Sequence, residues 1–238
     1  LAVLAGPAFS GFADGGANPC APGAAPASVA GMQWQRFELP DARLELARGW
    51  LPPAAAADLM QRLLDGLPWE VHRIRIFGRE VDSPRLSCWI GDPQAVYRYS
   101  GSRFVPHPWN AELAALRRRL QDELGARFNS VLANLYRDGR DAMGWHSDDE
   151  LELGPQPLIA SLSLGAPRRF VLRRRDDPAR KLALQLEPGS LLLMGGSTQR
   201  HWKHALPRTA RPVGARINLT FRQVQPHPRR PPPAAAAP

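Results

Sequence analysis

Cysteine is almost absent from the 238-residue chain: Cys20 and Cys88 stand far apart and neither belongs to a CxxC pair. That excludes a disulfide framework and a thiolate zinc module, and it fits a reducing compartment, read here as the cytoplasm. No apolar run approaches the roughly 18 uninterrupted residues of a membrane-spanning helix, so no membrane partner is expected. Lysine is scarce as well. Among 31 basic residues only Lys181 and Lys203 are lysines, the rest are arginine, and the net charge is +9. Such a balance favours a polyanionic partner, while the wealth of Ala, Pro, Gly and Arg fits a GC-rich, bacterial genome equally well.

What is present divides the chain into three stretches. Residues 1–33 are rich in Ala, Gly and Pro, show no periodicity and lack the charged start of a secretory signal, so they read as a disordered extension. Residues 225–238 read as a disordered, Pro-rich tail. Between them, 34–224 forms one domain. "PPAAAADLMQRLLDGL" predicts a helix that begins at its prolines, carries Ala56, Leu59, Met60, Leu63 and Leu64 on one face and ends near Gly66. "NAELAALRRRLQDELG" predicts a second, capped by Asn110, striped by Leu113, Leu116, Leu120 and Leu124 and stopped at Gly125. The remaining β-like runs are "RIRIF", "AVYRYS", "SVLANLY", "IASLSL", "RRFVLRR", "LALQL", "SLLLMG" and "RINLTFR". Strands following helices, without βα alternation, predict a mainly β, α+β fold: an antiparallel sandwich or jelly roll.

The chemistry is concentrated in "GWHSDDE", residues 144–150. On an extended segment His146 and Asp148 leave the same face, so an imidazole and a carboxylate converge on one ion. A further histidine from another strand completes a facial triad, which leaves three octahedral positions on Fe(II) for a co-substrate and O₂. "QRHWKHALP" offers His201 and His204, and spacing alone does not choose between them. In "RINLTFR" alternation places Arg216, Asn218, Thr220 and Arg222 on one face and Ile217, Leu219 and Phe221 on the other. Two arginines inside a sandwich are costly unless a dianion neutralises them, and a dicarboxylate matches their fork, which points to 2-oxoglutarate. Asn134 and Tyr136 on "SVLANLY" add donors on one face. An outward-facing basic edge strand is the competing reading.

"PR" at 84–85, "YRYSG" at 97–101, "FNSVLANLYRDGRDAMGWHSDDE" at 128–150, "PLIASLSLGAPRRFVLR" at 157–173, "GSLLLMGGSTQRHWKHALPRT" at 189–209 and "RINLTFR" at 216–222 occur in this order. With them the stretch from about Trp34 to Gln223 resembles the AlkB family of Fe(II)/2-oxoglutarate-dependent nucleic-acid demethylases, in the branch of the animal DNA-repair homologues. The resemblance implies a double-stranded β-helix (jelly roll) core over 128–224, flanked by the N-terminal helices and a nucleotide-recognition hairpin region at about 70–105. It implies His146, Asp148 and His204 as iron ligands, with Asn134, Tyr136, Arg216, Asn218 and Arg222 on 2-oxoglutarate and Arg222 pairing its distal carboxylate.

The implied reaction is oxidative demethylation of 1-methyladenine- and 3-methylcytosine-type bases in DNA, releasing succinate, CO₂ and formaldehyde. The base must leave the stack to reach the metal. Tyr99 matches the aromatic residue that sandwiches it, Tyr97 is a second pocket wall, and Asp149 and Glu150 face the base. Phe77, before Gly78 in "RIRIFGREV", matches a wedge that fills the gap in a duplex. Arginines near these motifs read as phosphate contacts. "CWIGDP" departs from the branch, which often has Tyr before Gly-Asp, so the pocket rim differs. Single- or double-stranded alkylated DNA is the expected partner of a monomer; RNA with the same chemistry, or a non-catalytic binding module, is the alternative.

Overall fold

The computed structural model describes residues 33–76, 79–99 and 102–225. The 1–32 extension, Phe77, the tail from 226 and the side chains of Tyr97 and Tyr99 lie outside what is described. In chain order the elements are β1 (Trp34–Phe37), β2 (Arg43–Ala47), α1 (Pro53–Gly66), β3 (Arg73–Ile76), β4 (Arg79–Asp82), β5 (Leu86–Gly91), β6 (Tyr97–Tyr99), β7 (Ser102–Phe104) and α2 (Ala111–Leu124). There follow β8 (Ser130–Tyr136), β9 (Met143–His146), a 3₁₀ turn (Leu151–Leu153), β10 (Ile159–Gly165), β11 (Arg168–Arg174), β12 (Lys181–Leu186), β13 (Leu191–Gly195), α3 (Thr198–His201), β14 (Trp202–Leu206) and β15 (Arg216–Arg222).

Both expected helices form for the expected reasons. Pro53 opens α1, where a missing N–H costs nothing, and Ala56, Leu59 and Leu63 are its buried face. Met60 and Leu64, expected on that face, are half-buried at its margin. In α2 the Asn110 side chain accepts from the Leu113 N–H at 2.9 Å. Gly125 ends it in the left-handed region, φ 60°, and the four leucines are buried.

The strands build two facing antiparallel sheets, a major one ordered β1-β2-β13-β10-β15-β8-β5 and a minor one ordered β12-β11-β14-β9. β3 with β4, and β6 with β7, form separate two-stranded ribbons. One face of the major sheet packs Ile217, Leu219 and Phe221 of β15 into a core with α1 and α2. Its other face meets the minor sheet, where Leu44, Ile159, Leu172, Leu184, Leu192 and Trp202 fill the apolar part of the interlayer.

Six strands escape the sequence patterns, β1, β2, β5, β7, β9 and β14, while β4 is the second arm of the hairpin read in "RIRIFGREV". Five of the six residues of β5 are buried, so no alternation marks it. β9 is four residues long, contains Gly144, and pairs with β14 through a register shift. "AVYRYS" shrinks to Tyr97–Tyr99 because Ala95 closes a turn onto Asp92, its N–H donating to that carbonyl at 2.8 Å.

The cap of α2 is directly testable. Asn110→Ala is expected to cost about 1 kcal/mol in urea unfolding, and Asn110→Asp to retain most of the wild-type stability.

Candidate active site

The polar part of the interlayer is built by strand register. β9 and β14 pair with His146 opposite His204, and the two rings pack edge to face with centroids 4.2 Å apart. The Nδ1 of His146 lies 2.9 Å from the Gly144 carbonyl. A carbonyl only accepts, so Nδ1 carries the proton and Nε2 keeps its lone pair. That Nε2 is 3.9 Å from Asp148 Oδ1. One ligand atom from each of His146, Asp148 and His204 lies within 4.8 Å of the others, a spacing that bonds of about 2 Å to a shared ion require only small shifts to close. His201 instead ends α3, its N–H donating to the Ser197 carbonyl at 3.2 Å, and stays outside this cluster.

Protonation suits a metal. Burial and the neighbouring His146 push the His204 imidazole down to about 3, against the pull of Asp148. Burial lowers His146 too, opposed by Asp148 and the Gly144 carbonyl. Burial pushes the Asp148 carboxyl up, but Arg222, His204 and His146 outweigh it and hold it below the ordinary carboxylate value. The result is two neutral imidazoles and a carboxylate, the nitrogen-and-oxygen donor set of an Fe(II) facial triad. Asp148 is further fixed by its N–H donating to Gln199 Oε1 at 2.9 Å, while Ser147 Oγ donates to the Trp202 carbonyl at 2.8 Å.

Beyond the triad, the polar face of β15 lines the same cleft together with Asn134 and Tyr136 of β8. Arg216 is buried at 2% exposure. Its Nη2 donates to Ser163 Oγ at 2.9 Å, its guanidinium lies 5.4 Å from the Tyr136 ring centroid, and its Nε has no hydrogen-bond partner among the described residues. Burial pushes it down to about 10, and the groups acting on its charge are Tyr136 and Arg168, neither a carboxylate. A buried guanidinium with a free donor and no counter-charge among the described residues fits an anionic ligand such as one carboxylate of 2-oxoglutarate.

Several expected placements are revised. Arg222 does not stand free for a distal carboxylate: its Nη2 donates to Asp148 Oδ1 at 2.9 Å, which puts it at the metal end. Asp149 turns away to an ion pair with Arg175 and is half exposed, because in extended backbone it points opposite to Asp148. Glu150, on the same side as Asp148 by that alternation, is half-buried. Asn218 spends its amide on Ser161 Oγ at 2.8 Å and accepts from Thr220 Oγ1 at 3.1 Å. Asn134 accepts from Arg85 Nε at 2.7 Å.

Arg85 and Gln199 lie within the quoted motifs but received no role, and Arg175 was not singled out, because the partners Asn134, Asp148 and Asp149 are distant in the chain. Ser161 and Ser163, alternating with the apolar residues of "IASLSL", were readable as pocket-facing.

Comparisons with known proteins agree with this geometry. The family described as the 2OG-Fe(II) oxygenase superfamily matches residues 43–222. Human alpha-ketoglutarate-dependent dioxygenase alkB homolog 3 is 37% identical over 196 residues, covering 79% of this chain and 68% of the human one. Human DNA oxidative demethylase ALKBH2 is 42% identical over 159 residues, covering 64% and 61%. The solved structure of OsALKBH1 superposes with a TM-score of 0.56 at 18% identity, over 80% of this chain and 100% of that one, and so shares the fold.

A histidine held neutral by burial binds its proton more readily once unfolded, so its contribution is intact above its unfolded pKa of 6.5 and is lost as pH falls toward the folded value of about 3. Asp148, held below its ordinary value, acts in the same direction at lower pH. Metal-free protein should therefore lose up to about 1.4 kcal/mol per pH unit for each such histidine below pH 6.5. His204→Gln should flatten that slope in urea titrations between pH 6.5 and 4.5; an unchanged slope would show that the loss lies elsewhere.

Proposed function

This chain belongs to the 2-oxoglutarate- and Fe(II)-dependent oxygenase superfamily and, within it, to the AlkB family, and from that premise we propose that it repairs N-alkylated bases in DNA by oxidative demethylation. The observation that carries the co-substrate assignment is Arg216, a buried guanidinium with an unpartnered Nε in the cleft that also holds His146, Asp148 and His204. Iron, 2-oxoglutarate and O₂ together supply the oxidation, in which 2-oxoglutarate gives succinate and CO₂ and the N-methyl carbon leaves as formaldehyde. His146, Asp148 and His204 would hold the metal.

The remaining residues position and neutralise. Arg216, packed on Tyr136, takes the far carboxylate of 2-oxoglutarate, with Asn134 and Asn218 lining its path. Arg222 holds Asp148 ionised and oriented, so the two arginines divide between the two ends of the cleft. Gln199 holds the Asp148 backbone through its N–H, while Arg222 orients the carboxylate. Because alternation returns Glu150 to the side of Asp148, we assign the base contact to Glu150, where a carboxylate favours a cationic methylated base. Asp149 anchors this loop to Arg175. Tyr97 and Tyr99 wall the base pocket and Phe77 is the duplex wedge in this reading; the register of β3 with β4 ends with Ile76 opposite Arg79.

The relatives' names describe an alpha-ketoglutarate-dependent dioxygenase and a DNA oxidative demethylase, which supports a nucleic-acid substrate with DNA first. Incubation with Fe(II), 2-oxoglutarate and air should remove one methyl group per lesion from strands carrying 1-methyladenine or 3-methylcytosine. Formaldehyde should appear in equal amount, and none should appear with His146→Ala. Turnover of methylated RNA alone would move the substrate to RNA, and no 2-oxoglutarate consumption with any strand would leave a binding module.

Arg216→Met should weaken 2-oxoglutarate binding at least 30-fold, the scale of about 2 kcal/mol or more for an unpaired buried charge. It should leave the fold as stable as wild type or more so, since a buried cation is replaced by an apolar chain of similar length. Calorimetric titration of 2-oxoglutarate into metal-loaded protein checks the first point and urea unfolding the second.

A further inference from the structure

The outer face of the minor sheet carries a feature that demethylation chemistry at the metal does not use. Arg173 on β11 stands directly opposite Lys181 on β12 and directly opposite Lys203 on β14. Direct partners in an antiparallel pair project from the same face. The only two lysines of the chain therefore flank one arginine in a single cross-strand row. Like charges placed opposite one another destabilise a sheet. Adjacent arginines have counter-charges: Arg174 pairs with Asp41 and Asp176, Arg175 with Asp149, and Arg180 with Asp177. No ion pair among the described residues includes Arg173, Lys181 or Lys203.

An aromatic ring continues the row. Trp145, on the edge strand β9, is 37% exposed, and the Arg173 guanidinium lies over its ring at 4.2 Å from the centroid. Trp145 immediately precedes His146, whose ring turns inward. The row thus begins on the reverse face of the strand that supplies a metal ligand. Four strands at about 4.8 Å spacing give it a length of about 14 Å.

We propose that this row is a binding track for a single-stranded flank of the nucleic-acid substrate, with Arg173, Lys181 and Lys203 on successive phosphates and Trp145 as the platform for one unpaired base. The assignment rests on the function proposed above for its substrate class. An unpaired cation row with an exposed ring at its end matches the combination that holds single strands without reading sequence. A fully paired duplex offers no free base face to Trp145. The sheet lies between the track and the metal, so a mononucleotide at the metal does not reach it, while a longer strand passing round the β9 edge does.

The test uses the whole chain and a labelled, unmodified single-stranded DNA of roughly 16 nucleotides, with binding followed by anisotropy over a range of salt. Arg173→Ala with Lys203→Ala should weaken binding at least tenfold at low salt and reduce the salt slope by about 1.4, from about 0.7 for each of two phosphates. Trp145→Ala should weaken it at least fivefold, and Trp145→Phe should restore most of the loss. On a methylated strand of the same length the double variant should show a raised KM with unchanged kcat, and on a methylated trinucleotide no change. Its Tm without DNA should stay close to wild type, because the relieved repulsion offsets the lost contact of Arg173 with the Trp145 ring. Unchanged affinity and salt slope in both variants would overturn the track. An equal loss on a fully paired duplex would overturn its assignment to single strands. A wild-type protein that binds the unmodified strand in this way but demethylates nothing would sink the proposed reaction and leave the track standing.

Discussion

The ion pair between Arg222 and Asp148, both almost withdrawn from water, sets the terms for the rest of the cleft. A guanidinium and a carboxylate between two sheets are tolerable only together, and breaking such a pair by removing one member is strongly destabilising. Arg222 holds Asp148 ionised, and the imidazoles beside it stay neutral under their own burial, against the pull of that carboxylate, and present lone pairs to a shared point. A second cation in the same layer, Arg216, has no such answer among the described residues. Its partner has to arrive from outside, and this demand links the metal site to an anionic co-substrate.

Strand alternation is what makes the arrangement affordable. On β15 every second side chain enters the core under α1 and α2, and Ile217, Leu219 and Phe221 are wholly buried there. The cost of placing arginines on the opposite face is offset by apolar burial on this one. The minor sheet repeats the device: Leu172 and His204 point inward while Arg173 and Lys203, next in the chain, point out. A buried face with a metal-site histidine and an outer cationic face thus lie back to back across one sheet.

The sequence patterns reached furthest where the signal is local. The helices were legible because Asn110, Gly125 and the leucine spacing act within a few residues, and the polar face of β15 because a period of two needs no knowledge of the partner strand. The HxD pair was legible for the same reason. Family resemblance supplied His204 in place of His201. The strands that went unread are those in which burial on both faces, as in β5, or brevity and a glycine, as in β9, erase the period.

Local patterning settles which residues share a face and which chemistries they carry: two imidazoles and a carboxylate for a metal, arginines on an inner face for an anion, a cationic surface for a polyanion. Which of them meet is a matter of long-range packing. Register brought His204 opposite His146 and left His201 at the end of a helical turn; it set Arg222 on Asp148 rather than on a distal carboxylate, took Asp149 to Arg175, and lined up Lys181, Arg173 and Lys203. These pairings join residues far apart in the chain, and they are fixed by the collective fit of two sheets, which no short window of sequence contains.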